Sequence, residues 1–525
     1  MSFLLRNPKQ RIGRFLATGV ALSALLFGSL VVTQSAQAAR QVGGTLKLAF
    51  DHEAGSFDPA KATLGMSHAI IEQVYSGLTA LDANANPYPD LANTIDISDD
   101  GLTYTFNLNK GVTFHDGSPL TAEDVKFTID RLKDPETAYP YVIQLATIQE
   151  VVVLGSHTVQ IQLSEPTGPL LVSLAFPGSL IVSKNLFEAG HDFNATPIGT
   201  GPYKFVSYQL GTSIKLERNA DYHEGNKPFI ANLEYQIISD QTAITNAVQT
   251  GIVDFSNVIP AKDWAAVEAN PDLTGQAVEG GRWFWLMLNN QNPPLDNHLV
   301  RQAVAHAMDR QAFVDAVFYG LAKVIQGGVV PEWSWGYAKD LKTFSTGADP
   351  EKAKALLAEA GYADGIDLVF KVGTEWPRLM SLAPIIQANL QAVGINAKIV
   401  TMGTSQWMDE VWVAKDYHIS DMYWLSPLAD PEDFTSLNYL CDSPMNAQQS
   451  CSKDLDAILN EARSATTQEA RKDAYIRAQE LAATEMPLAP LVSALILHAH
   501  TNKLKGFVPM RTGFLKTLKD AWLEE

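Results

Sequence analysis

The sequence has only two cysteines among 525 residues, and basic residues are scarce relative to acidic ones. Lys and Arg number 39 against 58 Asp and Glu, which gives a net charge of -19 at pH 7. A chain this acidic lacks the positive surface that attracts nucleic acids and anionic membranes. Composition therefore excludes both classes of partner, and we predict that the protein binds no nucleic acid.

Signatures of common catalytic and cofactor sites are also missing. Residues 65–69 (GMSHA) lack the second glycine of a serine-hydrolase nucleophile elbow. The His-Glu pairs at 52–53 and 223–224 lack the second histidine of a zinc-peptidase helix, and residues 199–202 (GTGP) lack the third glycine of a dinucleotide-binding loop. We predict that the protein is not an enzyme and that it binds neither a cofactor nor a metal.

The sequence does contain enough apolar residues for several folded cores. Hydrophobic residues make up 46% of the chain and charged residues 18%, which is too apolar for a disordered protein. Because a domain typically has about 100–200 residues, a chain of 525 residues is expected to form more than one.

The first forty residues have the composition of a secretory signal peptide. Four basic residues and no acid precede position 15, an apolar run follows at 15–32, and residues 36–38 (AQA) form a small-x-small site. Arg11 and Arg14 are not adjacent, so the general secretory route is favoured over the twin-arginine route. We predict cleavage after Ala38 and a periplasmic product; the alternative is an uncleaved membrane anchor.

The two cysteines are predicted to form a disulfide. Cys441 and Cys451 lie ten positions apart, and an oxidising compartment favours their pairing. The alternative is metal ligation, which would require two further soft ligands.

The periodicity of apolar residues predicts an α/β protein. Polar and apolar residues alternate in three segments that we expect to be strands, 45–50, 104–108 and 159–163. Asp349 and Pro350 are typical of a helix start, and Gly361 is typical of a helix end. Further predicted elements are a helix that begins at Thr121, helices over about 297–319 and 379–393, and a strand over 395–400.

Seven short motifs then follow one another in a specific order. They are GGTL at 43–46, SFDP at 56–59, YSGL at 75–78, FHDGSPLTAEDV at 114–125, GTGPY at 199–203, NADY at 219–222, and LNN at 288–290 followed by VRQA at 300–303 and AMDR at 307–310. Together these motifs resemble the periplasmic solute-binding proteins of ABC importers, in their dipeptide and oligopeptide class, extracellular family 5. The resemblance spans nearly all of the chain after the signal peptide.

The resemblance implies a two-lobed periplasmic binding-protein fold with an extra domain and a ligand cleft between domains I and III. Domain I would combine residues 39–80, 199–288 and 498–525, with domain II at 81–198 and domain III at 289–497. A protein of this kind is expected to capture a solute by hinge closure, as a monomer, and to deliver it to the membrane permease subunits of an ABC importer.

The ligand expected from this resemblance is a peptide or peptide-like solute, with one departure. In dipeptide-binding members, an aspartate about three residues before an Asp-Pro pair binds the peptide amino group. Here Asp430 begins that pair, but the binding position is Pro427. Burying an ammonium without a counter-charge costs several kcal/mol, so an oligosaccharide, an opine-type conjugate and a metal chelate remain alternatives, as do Asp421 and Asp430 as substitute acids.

The tryptophans suggest where a ligand would bind. All ten lie from Trp264 onward, and they are interpreted either as core packing or as platforms for a ligand. Arg378 stands where family members carry an arginine that binds a ligand carboxylate, and a surface role is the alternative. The predicted ligand-binding residues are Thr63, Leu64, Gly65, Met66, Trp285, Trp376, Arg378, Trp407, Trp424 and Asp430.

Two other functions remain as alternatives. A secreted hydrolase could use the acid cluster of Asp430, Glu432 and Asp433. A metal or haem carrier would need histidines, and the eleven present are scattered along the sequence.

Overall fold

The computed structural model describes residue 40, residues 42–426 and residues 428–524. The predicted signal peptide with its cleavage site after Ala38, and Pro427 at the position of the expected amine contact, lie outside these described residues. In the part of the chain that is described, no helix is both long and apolar enough to cross a membrane.

Strands are distributed over the whole described chain. In chain order, β1 to β19 are Gly43–Phe50, Thr79–Leu81, Pro87–Pro89, Ala92–Ile97, Thr103–Leu108, Ile148–Gly155, Thr158–Leu163, Tyr203–Gln209, Ser213–Arg218, Ile230–Ile237, Phe255–Ser256, Leu273–Leu288, Ala322–Val324, Ile366–Gly373, Ile395–Met402, Ile419–Leu425, Leu488–Thr501, Leu504–Lys505 and Trp522–Leu523.

Helices alternate with these strands. In chain order, α1 to α15 are Gly65–Val74, Ala122–Lys133, Leu170–Ser173, Lys184–Glu188, Gln241–Gln249, Trp264–Glu268, His298–Ala307, Arg310–Ala316, Pro350–Glu359, Pro377–Gln391, Thr404–Trp407, Pro431–Phe434, Ser436–Tyr439, Lys453–Ser464 and Gln468–Glu485. Short 3-10 turns lie at Pro59–Lys61, Pro135–Thr137, Val142–Leu145, Pro177–Ser179, Ala261–Asp263 and Lys516–Asp520, and a π turn at Met408–Val413.

An 11-stranded mixed sheet forms the centre of the molecule. Its order is β15-β14-β16-β12-β17-β11-β1-β10-β9-β8, and β13 pairs with β17 beside this path. The long strands β12 and β17 run antiparallel to each other through the middle of the sheet. The β14, β15 and β16 group therefore lies on one side of this pair, and the β1, β8, β9 and β10 group lies on the other.

A separate four-stranded antiparallel sheet, in the order β4-β5-β7-β6, is formed by residues 92–163 together with helix α2. Its buried face carries Phe106, Val159 and Ile161, which pack against Val125 and Ile129 of the helix. The alternation predicted for β5 and β7 is confirmed, because every second side chain of each strand is buried.

Local sequence signals account for most of the predicted helices. The Asp349 side chain accepts a hydrogen bond from the backbone N–H of Lys352 and begins α9, and Gly361 after its end has φ +90°. The Asp124 carboxylate accepts hydrogen bonds from the backbone N–H and the hydroxyl of Thr121 at the start of α2. These starts and ends are confirmed, as is the helix α10 that ends before Gly394.

One helix prediction is wrong. The segment 297–319 contains two helices, α7 and α8, and not one continuous helix. Met308 has extended dihedral angles, and the Asp309 side chain accepts a hydrogen bond from the backbone N–H of Ala312. Asp309 therefore caps a new helix, because a short acidic side chain satisfies an N–H group that has no partner within the helix.

The predicted disulfide between Cys441 and Cys451 is confirmed. It closes a short loop between α13 and α14. The α/β class is confirmed as well, whereas the boundaries of the three domains stay a prediction.

Candidate functional site

A cavity of about 380 Å³ opens at the middle of the large sheet, where its two groups of strands meet. Asp51 follows β1 at its wall, and Gln241 begins α5 there. The opposite wall carries Tyr423 of β16 and Arg378 of α10, while Arg282 comes from β12. We call this space the arginine cavity, after Arg282 and Arg378.

A break in β12 places Arg282 at the cavity. The pairing of β12 with β17 shifts register between Glu279 and Trp283. At Gly281, a Cβ atom would lie 2.8 Å from the carbonyl oxygen of Ser426, so the backbones approach too closely for a side chain. A bulge of this kind redirects the neighbouring side chain. A side chain at position 281 would therefore clash with the backbone of Ser426.

Helix α10 places Arg378 at the same cavity. Pro377 is its first residue, Arg378 is its second, and its N-terminus has no side-chain cap and no acid in the first turn. Leu379, Leu382 and Ile386 are buried along one face, which holds the helix against the sheet. A cation in the first turn is unfavourable, because the helix dipole is positive at that end.

The two guanidinium groups do not directly contact a counter-charge in the described part of the chain, although Asp51 attracts both from beyond ion-pair distance. Neither forms an ion pair or a side-chain hydrogen bond there, and Arg282 Nε is buried without a partner. Burial, with a contribution from the nearby charge of Arg378, lowers the pKa of Arg282 to about 10. Burial also lowers the pKa of Arg378. This end of the cavity therefore carries two positive charges that no directly bound acid balances.

The two acids at the cavity do not contact the arginines. Asp51 Oδ2 accepts a hydrogen bond from Gln241 Nε2 at 2.6 Å, and Asp51 Oδ1 lies 2.6 Å from His52 Nδ1. Burial acts to raise the pKa of Asp51, but these two partners hold it below its ordinary value. Glu375 also lines the cavity and is exposed to solvent. Both carboxylates lie farther than 4.0 Å from the arginines, since neither forms an ion pair with them.

Aromatic rings form the apolar part of the wall. Phe284 pairs with Tyr423 across the strands, and their rings stack at 5.5 Å between centroids. Trp376 lies at the start of α10, and its ring packs edge-on against Trp407 at 5.0 Å. The cavity thus combines a cationic end with flat aromatic surfaces, which suits a small organic solute.

Of the predicted ligand-binding residues, the structure brings Trp376 and Arg378 together at the arginine cavity. Trp407 is 1% exposed and donates a hydrogen bond from Nε1 to Ser420 Oγ at 3.0 Å. Trp285 is 3% exposed and stacks on Trp283 with 4.0 Å between ring centroids. These two tryptophans lie in a core and do not line the arginine cavity. Their role in ligand binding stays a prediction.

The remaining predicted residues lie elsewhere. Trp424 is half-buried and pairs with Trp283 on the sheet face opposite to Arg282. Thr63, Leu64 and Gly65 are exposed before and at the start of α1, while Met66 is buried in the core beneath it. None of these residues lines the arginine cavity.

Asp430 has structural partners. Its carboxylate binds Arg471 through two hydrogen bonds of 3.1 and 2.7 Å, and it accepts a third from the backbone N–H of Glu432. Asp421, the other substitute acid, is 1% exposed and has no partner on either carboxylate oxygen. Burial raises the pKa of Asp421 well above its ordinary value.

Arg282, Asp51 and Tyr423 are not among the ligand-binding residues predicted from the sequence. The signal for Arg282 was a single basic residue between two glycines and an aromatic run, in residues 280–285 (GGRWFW). That pattern shows an unusual strand, but it does not show which face of the strand meets a cavity.

The acid cluster of the hydrolase alternative is engaged in structural contacts. Glu432 pairs with Arg463 at 2.9 Å, and Asp433 accepts hydrogen bonds from the Ser426 hydroxyl and the Leu428 N–H. These acids border a second cavity of about 180 Å³ between residues 143–173 and 428–463. No observation in the described residues places a reacting group beside them.

A further group of possible metal ligands comprises Asp90, His223 and Glu224. Lys516 binds Asp90, and Lys519 binds Glu224. Two ammonium groups therefore already neutralise the carboxylates, and the cluster forms an ion-pair network that ties the C-terminal segment to the rest of the fold.

Comparison with known proteins identifies the class. Residues 86–446 match the family described as Bacterial extracellular solute-binding proteins, family 5 Middle. This match covers more than half of the chain, so the protein belongs to that family. The resemblance inferred from the seven sequence motifs is confirmed.

Individual relatives match over nearly the full length. The glutathione-binding protein GsiB of Salmonella choleraesuis (strain SC-B67) is 30% identical over 512 residues, covering 94% of this chain and 97% of that protein. The periplasmic binding protein DppA from Helicobacter pylori, solved in complex with peptide STSA, has a TM-score of 0.79 at 27% identity and covers 93% of this chain and 99% of that chain.

AgaA from A. tumefaciens R10, solved in complex with agropinic acid, also has a TM-score of 0.79 at 27% identity, covering 92% of this chain and 99% of that chain. The predicted two-lobed fold of periplasmic binding proteins is thereby confirmed.

Proposed function

We propose that this protein captures a peptide or peptide-like solute in the arginine cavity and delivers it to the membrane permease subunits of an ABC importer. The observation that carries the proposal is the composition of the cavity wall. Asp51 and Gln241 belong to predicted domain I, whereas Trp376, Arg378 and Tyr423 belong to predicted domain III. A solute in this cavity would touch both domains, as capture by closure requires.

Strands β12 and β17 supply the hinge in this proposal. Both strands pass through the middle of the sheet, and their pairing is interrupted between Glu279 and Trp283. A change of backbone angle at Gly280 and Gly281 would alter the width of the adjoining cavity. Hinges are typically a few residues that absorb such a change while the flanking elements stay rigid.

A peptide-like solute is supported by the relatives. DppA from Helicobacter pylori holds the peptide STSA, and GsiB is a glutathione-binding protein. AgaA holds agropinic acid, which supports an opine-type conjugate as the second candidate. The two arginines of this chain suit the acidic groups of either class.

The signal peptide and the family together favour a periplasmic location. We propose export through the general secretory route with cleavage after Ala38, and a soluble periplasmic monomer with a disulfide. Cleavage of the signal peptide would remove four basic residues and no acidic residue. The net charge would therefore change from -19 for the full chain to -23 for the exported chain. The role proposed here includes no catalytic step.

The test combines thermal unfolding with small-angle scattering on the mature protein after removal of bound solute. A ligand at 100 times its Kd should add about 2.7 kcal/mol to the free energy of unfolding. Peptides and opine-type conjugates are expected to raise the melting temperature and to reduce the radius of gyration. Stabilisation without any change in scattering would contradict hinge closure, and stabilisation by oligosaccharides alone would contradict a peptide-like solute.

A further inference from the structure

The arginine cavity differs from other places where this fold buries arginine. Arg301 donates hydrogen bonds to the carbonyl oxygens of Met486, Leu295 and Glu485, at 2.9, 2.8 and 2.6 Å. Arg310 donates to the carbonyl oxygens of Pro490 and Ala305, at 3.0 and 3.1 Å. These structural arginines use the protein itself as their hydrogen-bond acceptor.

Arg282 and Arg378 have no such acceptors among the described residues. Both are half-buried, they lie near enough to repel each other, and Arg378 also meets the positive end of α10. Each of these features destabilises the empty cavity. A bound anion would relieve all of them at once, because it would supply a charge and hydrogen-bond acceptors to both groups.

Among the described residues, the one acid at the cavity without a direct partner, Glu375, is exposed to solvent, where an ion pair with an amine contributes little. Asp51 already accepts a hydrogen bond from Gln241 and contacts His52, and Asp421 is buried and does not line the cavity. Asp430 is occupied by Arg471. The lining thus carries two arginines and two acids, Asp51 and Glu375, and the partly buried charges without a direct partner are the two arginines.

We propose that the solute is recognised through an acidic end that carries two negative charges, bound jointly by Arg282 and Arg378, and that a free α-amino group is not required. This inference rests on the proposed function, and it specifies the solute class for the same cavity. Aromatic contacts with Trp376 and Tyr423 would hold the uncharged remainder of the solute.

The first test uses three synthetic probes and isothermal titration calorimetry. Ala-Glu and Ala-Gln have the same shape and differ by one negative charge, and N-acetyl-Ala-Glu lacks the charged amine. Ala-Glu is expected to bind about 10-fold or more tightly than Ala-Gln, and N-acetylation is expected to change the Kd by less than about threefold. Arg282→Gln and Arg378→Gln should each weaken Ala-Glu binding by about 30-fold or more.

Arg477→Gln is the matched control, because this arginine lies on α15 away from the cavity and forms exposed ion pairs. It should leave all three affinities unchanged. Equal binding of Ala-Glu and Ala-Gln, or loss of binding on N-acetylation, would overturn the inference while the proposed function remained. The affinity of the conservative variant Arg378→Lys for Ala-Glu is expected to lie between those of the wild type and Arg378→Gln. Lysine keeps the positive charge but cannot form the bidentate hydrogen bonds of a guanidinium group.

The second test needs no peptide. Arg378→Gln removes one of two charges that repel each other. This substitution should therefore raise the melting temperature of the solute-free protein. Arg378→Glu should raise it further, because an acid suits both the helix N-terminus and Arg282. A fall in melting temperature in both variants would overturn the inference, since it would show that Arg378 has a stabilising partner within the protein. Raised melting temperatures without binding of any probe would leave the anion site standing and contradict the peptide-like solute of the proposed function.

Discussion

Replacement of Asp430 by Asn is expected to destabilise the fold and to leave solute binding intact. The Asp430 side chain is 3% exposed and binds the Arg471 guanidinium in a two-pronged ion pair. It also accepts the backbone N–H of Glu432 at 3.0 Å at the start of α12. Asn keeps Oδ1 for that last bond, so the substitution removes the charge and replaces Oδ2, which accepts from Arg471 Nη1, by an NH2 group that cannot accept.

The magnitude follows from the burial of the partner. Arg471 is 6% exposed, and its guanidinium lies 5.0 Å from the centre of the Trp335 ring. Removing one member of a buried ion pair costs about 3–5 kcal/mol, because the other charge remains buried without compensation. The entropy of unfolding is about 2.1 cal/mol/K per residue, or about 1 kcal/mol/K for this chain, so the melting temperature should fall by about 3–5 °C.

Differential scanning calorimetry of the mature protein measures this shift. Asp473→Asn is the control, since Asp473 forms an exposed ion pair with Arg477 in α15, and such a pair contributes less than about 1 kcal/mol. Calorimetric titration with a solute measures binding in parallel. A tenfold loss of affinity without any fall in melting temperature would refute the reasoning, because Asp430 would then act on the solute, as the sequence-based prediction holds.

Three further predictions concern other parts of the fold. Double replacement of Cys441 and Cys451 by Ser should lower the free energy of unfolding by about 2–3 kcal/mol in denaturant titrations, as expected for a short closed loop; an unchanged midpoint would contradict this. Gly281→Ala should lower the melting temperature and weaken solute binding, because the added Cβ would lie 2.8 Å from a backbone oxygen; a Gly43→Ala control, with nothing within 4 Å, should not affect binding. Burial raises the pKa of Glu72 to about 8 from an ordinary 4.5. The protonated form is therefore favoured by folding, and the stability that it contributes below pH about 4.5 should be lost between 4.5 and 8. Glu72→Gln should flatten that part of the profile of unfolding free energy against pH, whereas a wild-type stability that rises with pH through this group would contradict the assignment.

Local patterns in the sequence were sufficient to predict helices and strands whose determining contacts lie between residues close in the sequence. The cap at Asp349, the glycine at 361 and the alternation in β5 each depend on contacts within a few positions, so the sequence alone determined them. The break between α7 and α8 was missed although its cause, the capping side chain of Asp309, is equally local. The residue types of Met308 and Asp309 do not exclude a continuous helix, and only the extended dihedral angles of Met308 separate the two helices.

The sequence also determined the family, because seven motifs in a fixed order are specific even where each is weak. It did not determine the ligand site. Trp283 and Trp285 point to the sheet face that forms a core, while Arg282 and Phe284 point to the face that forms the cavity. Successive side chains of a strand alternate between faces, and only pairing with β16 and β17 decides which face is which.

The arginine cavity itself is a product of tertiary structure. Its charged residues, Asp51, Arg282 and Arg378, are far apart in the sequence and come together only where the two groups of strands meet. Local periodicity in the sequence does not predict contacts between such distant segments. Arg301 donates to carbonyl oxygens of the protein, whereas Arg282 Nε has no hydrogen-bond partner and Arg282 lines the cavity. The packing between distant segments produces this difference. That packing therefore decides what the protein can bind.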